Sequence, residues 1–145
     1  MEAISEKERV REVYLRTWEK YRQQSPLDGI EEQVLDVILS HPEYHALLSD
    51  RDLALAFEAD PSGGIENPFL HMGLHLAIRE QISLGRPPEV RRTYRRLLLQ
   101  LGDAHEVEHQ MMLCLAEALW EYTQDPRVQG EIERSYLDCL ARLGD

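Results

Sequence analysis

The chain has 145 residues, 43% of them hydrophobic and 30% charged, which is enough for one compact domain with a core and excludes a disordered polymer. A net charge of -11 argues against nucleic acid and anionic membrane surfaces as partners, because both repel an acidic protein. No apolar run approaches the ~18 residues of a membrane span, and the opening stretch Met1 to Val10 is too charged for a secretory signal.

In chain order, Ser5-Glu-Lys-Glu8 reads as a capping box that starts a first helix. Val10, Val13, Tyr14, Trp18 and Tyr21 recur along it at helical spacing, and Pro26 follows its end. A second helix is predicted from about Asp28 to Ser40, with Glu31 and Glu32 complementing its dipole and Ile30, Val34, Leu35, Val37 and Ile38 as its apolar set. Pro42 breaks this helix and opens a short one, which puts His41 just before it and His45 on its first turn. Residues 50 to 58 suggest another short helix anchored by Leu53, Leu55 and Phe57, and Asp60-Pro-Ser-Gly-Gly64 reads as a loop. Asn67-Pro68 then starts a helix that is apolar on every side for about three turns, the pattern of a central element. After the turn at Leu84-Gly-Arg-Pro-Pro88 a fourth long helix carries Val90, Tyr94, Leu97, Leu98 and Leu101, and Gly102 stops it. Asp103 caps a fifth, which carries His105, His109, Met112, Leu113, Ala116, Leu119 and Trp120 and closes at Asp125-Pro126. The last helix, from about Gly130, is expected to bury Ile132, Tyr136, Cys139, Leu140 and Leu143. No segment alternates with period two, so the expectation is a single all-α domain over residues 1–145: a helical bundle of about five long helices with one or two short ones. Cys114 and Cys139 fall in apolar helical surroundings and read as buried free thiols of a reducing compartment, which places the protein in the cytoplasm.

The six histidines form three pairs, each four residues apart: His41 with His45, His71 with His75, and His105 with His109. On a helix this spacing puts two imidazoles on one face, one turn apart. Two such pairs facing each other across a bundle offer four nitrogens to one divalent metal ion, with bonds of about 2.0–2.1 Å for zinc. The His105/His109 and His71/His75 pairs carry the stronger expectation; a helix break separates His41 from His45. Glu117, two turns after His109, is added as a carboxylate ligand, and Glu106 and Glu108 as candidate general bases. Imidazole with some oxygen donors suits zinc or iron first and also manganese or nickel. The competing reading is structural: helical histidines on apolar faces are often core residues satisfied by carbonyls or carboxylates.

Several segments resemble a bacterial family of small helical proteins catalogued as domain of unknown function 1841. They are His41-Pro-Glu-Tyr-His-Ala-Leu-Leu48, Asn67-Pro-Phe-Leu-His71 with His75-Leu-Ala-Ile78 and Glu80-Gln81, Arg86-Pro-Pro88, and His105 to His109 with Cys114-Leu115, Glu117 and Trp120-Glu121. The resemblance spans the middle two thirds of the chain, marks the histidine and Asn-Pro-Phe motifs as family features, and implies no substrate. A looser likeness, of histidine spacing alone, links the chain to helical-bundle metalloproteins of the DinB type.

Arg91, Arg92, Arg95 and Arg96 form a basic stripe that reads either as an acidic-ligand site or as a solvated face paired with glutamates. No Gly-rich phosphate loop, nucleophile elbow or Cys-x-x-Cys motif occurs. The sequence thus points to a metal-binding helical bundle. It would serve as a metal-dependent hydrolase or as a redox or oxygen-handling enzyme acting on a small molecule. The alternative is a non-catalytic interaction or regulatory module whose histidines are structural. Its apolar and aromatic residues are numerous enough for a homodimer.

Overall fold

The computed structural model describes residues 5–58 and 67–144, and every regular element among them is helical. The expected loop at Asp60 to Gly64, and the first four residues of the N-terminal stretch, lie outside the described residues. The helices are α1 (Glu6–Arg22), α2 (Gly29–Leu39), α3 (His45–Leu48), α4 (Arg51–Ala56), α5 (Pro68–Leu84), α6 (Pro88–Leu101), α7 (Ala104–Gln124) and α8 (Ile132–Arg142), with 3-10 turns at Pro42–Tyr44 and Pro126–Glu131. The chain gathers into two compact units that divide between Gly73 and Leu74, inside α5.

In the first unit, Ser5 Oγ accepts from Glu8 N–H at 3.1 Å and starts α1 as the capping motif predicts. The buried face of α1 is Arg11, Tyr14, Leu15, Thr17 and Trp18, whereas the expected Val10 and Tyr21 are exposed. The displacement has a polar cause. Arg11 Nη1 donates to the carbonyls of Ala54, Leu55 and Phe57 at 2.9, 3.1 and 2.8 Å, satisfying the C-terminal end of α4, while its guanidinium lies 4.7 Å over the Phe69 ring. Asp28 and Glu31 form a reciprocal capping box at α2. Glu31 also accepts from Lys20 at 2.8 Å and Arg16 at 3.3 Å and so ties α2 to α1. Val34, Val37 and Ile38 are the buried residues of α2, and Ile30 faces outward. In α4 the buried position is Ala54, and the expected anchor Leu53 is exposed.

The second unit centres on Ile78, Val90, Leu97, Val107, Met111, Met112, Cys114, Ala118, Tyr136 and Leu140. Gly102, at φ +70°, ends α6 in the left-handed conformation that glycine adopts without strain. Asp103 then caps α7 by accepting from the His105 N–H at 2.9 Å. The arginine stripe of α6 divides by function. Arg91 donates to the carbonyls of Ile82 and Ser83 at the end of α5, and Arg96 to those of Leu140 and Leu143 at the end of α8, so two guanidinium groups satisfy two helix C-termini. Arg92 pairs with Glu89 at 3.2 Å.

Two expectations are corrected here. Cys114 and Cys139 are joined as a disulfide that links α7 to α8, with Cα atoms 5.6 Å apart, and are not free thiols. Helical packing brings their two buried faces together, a proximity that their 25-residue separation in sequence does not reveal. Also, Leu113 and Trp120 of α7 are 71% and 64% exposed, because the buried face of this helix turns instead through Val107, Met111, Cys114 and Ala118.

Candidate metal centre

The site begins with helix starts. Asn67 Oδ1 accepts from the N–H groups of Phe69 and Leu70 at 3.0 and 3.3 Å, and Pro68 occupies the first helical position, where no donor is required. This fixes the start of α5 and therefore the rotation at which its histidines emerge. Asp103 does the same for α7, so His105 lies on its first turn and His109 one turn later.

In the second unit, His75 from α5 and His105 and His109 from α7 offer ligand nitrogens within 4.8 Å of one another. The ring centroids form a triangle: 4.9 Å from His75 to each of the others, and 4.2 Å between His105 and His109. His75 is fully buried. Its Nδ1 lies 2.8 Å from Glu108 Oε1, an ionised acceptor, so Nδ1 carries a proton and donates it to that oxygen. Arg79, one turn beyond His75 on the same face of α5, donates its Nε to the same Glu108 oxygen at 2.9 Å. Burial pushes the Glu108 carboxyl up, but hydrogen bonds from His75 and Arg79 and the nearby guanidinium charge outweigh it and hold it below the usual carboxylate range. Glu108 is thus an acceptor shared between an imidazole and a guanidinium.

The three sequence pairs are not used alike. His105 and His109 act together, as their spacing predicts. His71 and His75 divide: His71 meets the edge of His41, with centroids 4.9 Å apart, and that of Tyr44 at 6.1 Å, all within the first unit. His41 is 2% exposed and stacks on Tyr44, and its Nδ1 lies 2.8 Å from the Val37 carbonyl. His45 packs 4.3 Å from the Trp18 ring, with Nε2 2.8 Å from the Ile38 carbonyl. Glu106 is exposed on the first turn of α7. Glu117 is exposed beside the disulfide, in a groove that it shares with Glu121, Asp138 and Arg142. A cleft of about 340 Å³ in the first unit is lined by Leu15, Trp18, Arg22, Ser49 and Arg51 and has no histidine in its wall. Arg79 is the residue that the sequence reading missed. The available sign was its place four residues after His75, where a side chain shares that histidine's face.

No helix among the described residues is long and apolar enough to cross a membrane. No curated protein and no solved structure matches the chain. A family model described as a domain of unknown function, DUF1841, matches residues 6–142. That match takes in α1 through the end of α8 and every histidine of the three pairs, so the chain belongs to the DUF1841 family.

Proposed function

We propose that the second unit binds one divalent metal ion, zinc or iron by preference, through His75, His105 and His109, with Glu108 as the carboxylate that orients His75. The observation that carries this reading is the convergence of three imidazole nitrogens from two helices to within 4.8 Å. A tetrahedral ion with bonds of about 2.0–2.1 Å holds its ligand atoms roughly 3.3 Å apart, a difference that small ring rotations close. The Glu108 contact adds the outer support that metal-bound histidines characteristically have, fixing the tautomer with Nε2 as the donor atom.

A coordination position left open to water or substrate would mark such a centre as catalytic rather than purely structural zinc. When bound, zinc would supply Lewis-acid chemistry toward an ester, amide or phosphoryl oxygen, and iron in the same ligand set would supply redox chemistry. Glu108 is occupied by His75 and Arg79 and serves as a positioning residue, which makes Glu106 the acidic side chain to test as a base. In the first unit, His41 is buried with its Nδ1 held by a carbonyl, which presents Nε2 as its lone-pair atom; it is the ligand-competent histidine there. His45 and His71 have packing roles in this reading.

A second reading has its own support. The hydrogen bonds that join His75 and Arg79 to Glu108 are made between protein side chains alone, as in a purely structural network. Elemental analysis of protein purified without added metal separates the two. Near-stoichiometric zinc or iron in wild type, lost in His75→Ala and in His109→Ala, supports the metal centre. Absence of metal, with a melting temperature unmoved by zinc or iron salts, favours the structural network.

A further inference from the structure

We propose that the seam between α7 and α8 is a docking surface for a basic amphipathic segment of a partner protein. An apolar side chain of that segment sits beside Trp120, and its lysines or arginines face an acidic rim. Among the described residues no histidine lines the seam, so it is independent of the metal reading. Helical spacing builds it. From α7, Cys114, Ala118 and Glu121 follow at intervals of four and three residues, and from α8, Ile132, Ser135 and Cys139 at intervals of three and four. Two depressions lie along it and share Ala118, Glu121 and Ser135 in their walls. The first, of about 300 Å³, takes its apolar surface from Ala118, Trp120 and Ile132. The second, of about 120 Å³, continues to the disulfide. Trp120 is largely exposed, and so is Leu113, seven residues earlier on the same face of α7 and about 10 Å away along the helix axis. Two large apolar side chains held in water beside a cleft mark an interaction surface, and tryptophan is enriched among the residues that carry binding energy.

Charge selects the occupant. Glu121 and Glu131 stand in the wall of the first depression, and Glu117 and Asp138 in that of the second. Among the described residues, the cation in these walls is Arg142, at the disulfide end, and none of the four carboxylates is ion-paired. Four carboxylates against one guanidinium leave the seam strongly negative, on a protein whose net charge is -11. Such a rim repels a second copy of this acidic chain, as it repels the phosphates of nucleic acid or of an anionic membrane, and it attracts lysine and arginine. The stems of those side chains are themselves apolar and pack against an indole while their charged ends reach carboxylates. A segment that repeats apolar and basic side chains at helical spacing therefore matches the seam in both shape and charge.

The test uses the full, disulfide-bonded chain and a labelled synthetic peptide of leucine, alanine and arginine patterned as an amphipathic helix. Its controls are a scrambled peptide of the same composition and a counterpart with glutamate in place of arginine. The chain has two tryptophans, so the two indole N–H signals in a heteronuclear NMR spectrum report separately on the exposed Trp120 and the buried Trp18. The expected result is a shift of the Trp120 signal with the basic amphipathic peptide while Trp18 stays in place. The peptide Kd, read by fluorescence anisotropy, is expected to rise about tenfold or more in Trp120→Ala. Glu121→Gln/Glu131→Gln is expected to weaken binding severalfold and to flatten its salt dependence. Leu99→Ala, at an exposed apolar position on α6, is expected to leave it unchanged. Equal affinity for the scrambled or the acidic peptide, or equal affinity in wild type and Trp120→Ala, overturns the proposal. A Trp120 signal that moves with protein concentration alone also overturns it, and assigns the seam to a second copy of the chain.

Discussion

Glu108 is the residue on which the centre turns, because one of its oxygens serves two donors from the neighbouring helix. Replacing it by Gln keeps the shape and removes the charge; the amide then presents one acceptor in place of a carboxylate. Metal affinity in Glu108→Gln is expected to fall by roughly 10- to 100-fold, the usual cost of disturbing an outer-shell partner of a ligand histidine. Competition with a chromogenic chelator measures this, and unchanged affinity would remove Glu108 from the centre. Arg11 gives a second prediction at this scale. Arg11→Met leaves carbonyls of Ala54, Leu55 and Phe57 without their donor, and a loss of about 2 kcal/mol is expected in urea unfolding. Neither role is legible in the sequence. An arginine on an otherwise apolar helix face gives no sign of which carbonyls it will meet, and a glutamate next to a histidine in sequence points away from it on a helix.

The helices themselves were largely foreseeable, since their starts and stops are local chemistry. Ser5, Asp28, Asn67 and Asp103 each stand at a helix start, and Gly102 takes the left-handed stop. Gly102→Ala places a Cβ at φ +70°, and a loss of about 1 kcal/mol in thermal unfolding is expected. The α1–α2 connection carries a pH signature. Lys20 first, then the Asp28 backbone N–H, pull the Glu31 carboxyl down from 4.5 to about 2 against the effect of burial. A carboxylate with a depressed folded-state pKa stabilises fully above its unfolded value, and that contribution fades as pH falls toward the folded value. Melting temperature should therefore drop on acidification below about pH 4.5, and Glu31→Gln should show a shallower drop from a lower starting point at neutral pH. Equal acid slopes in the two proteins would contradict this. Which side of each helix is buried was harder to foresee. On α1 and α7 the exposed Val10, Tyr21, Leu113 and Trp120 lie beside the buried face, where the apolar pattern is too wide to fix the rotation.

For the molecule as a whole, two measurements bear on stability. The Cys114–Cys139 link spans 25 residues, and chain-entropy arguments give such a loop about 3.5 kcal/mol. Reduction, or the Cys114→Ser/Cys139→Ser variant, should lower the melting temperature accordingly; an unchanged value would show that α7 and α8 hold without the link. Zinc added to metal-free protein at about 100 times its Kd should stabilise wild type by roughly 2.7 kcal/mol and His75→Ala far less. By itself the sequence determined the all-helical class, the helix ends, the family, and the fact that histidines repeat at a spacing that aligns their rings. These are consequences of nearest neighbours in the chain: caps, prolines, glycines and a 3.6-residue period. The tertiary structure decided that His75 joins His105 and His109 while His71 turns to His41 and Tyr44, that Arg79 and Glu108 complete the group, and that the two cysteines meet. Those outcomes depend on how far each helix is rotated about its own axis against its neighbours. Packing of whole faces sets that angle, and no short stretch of sequence contains it.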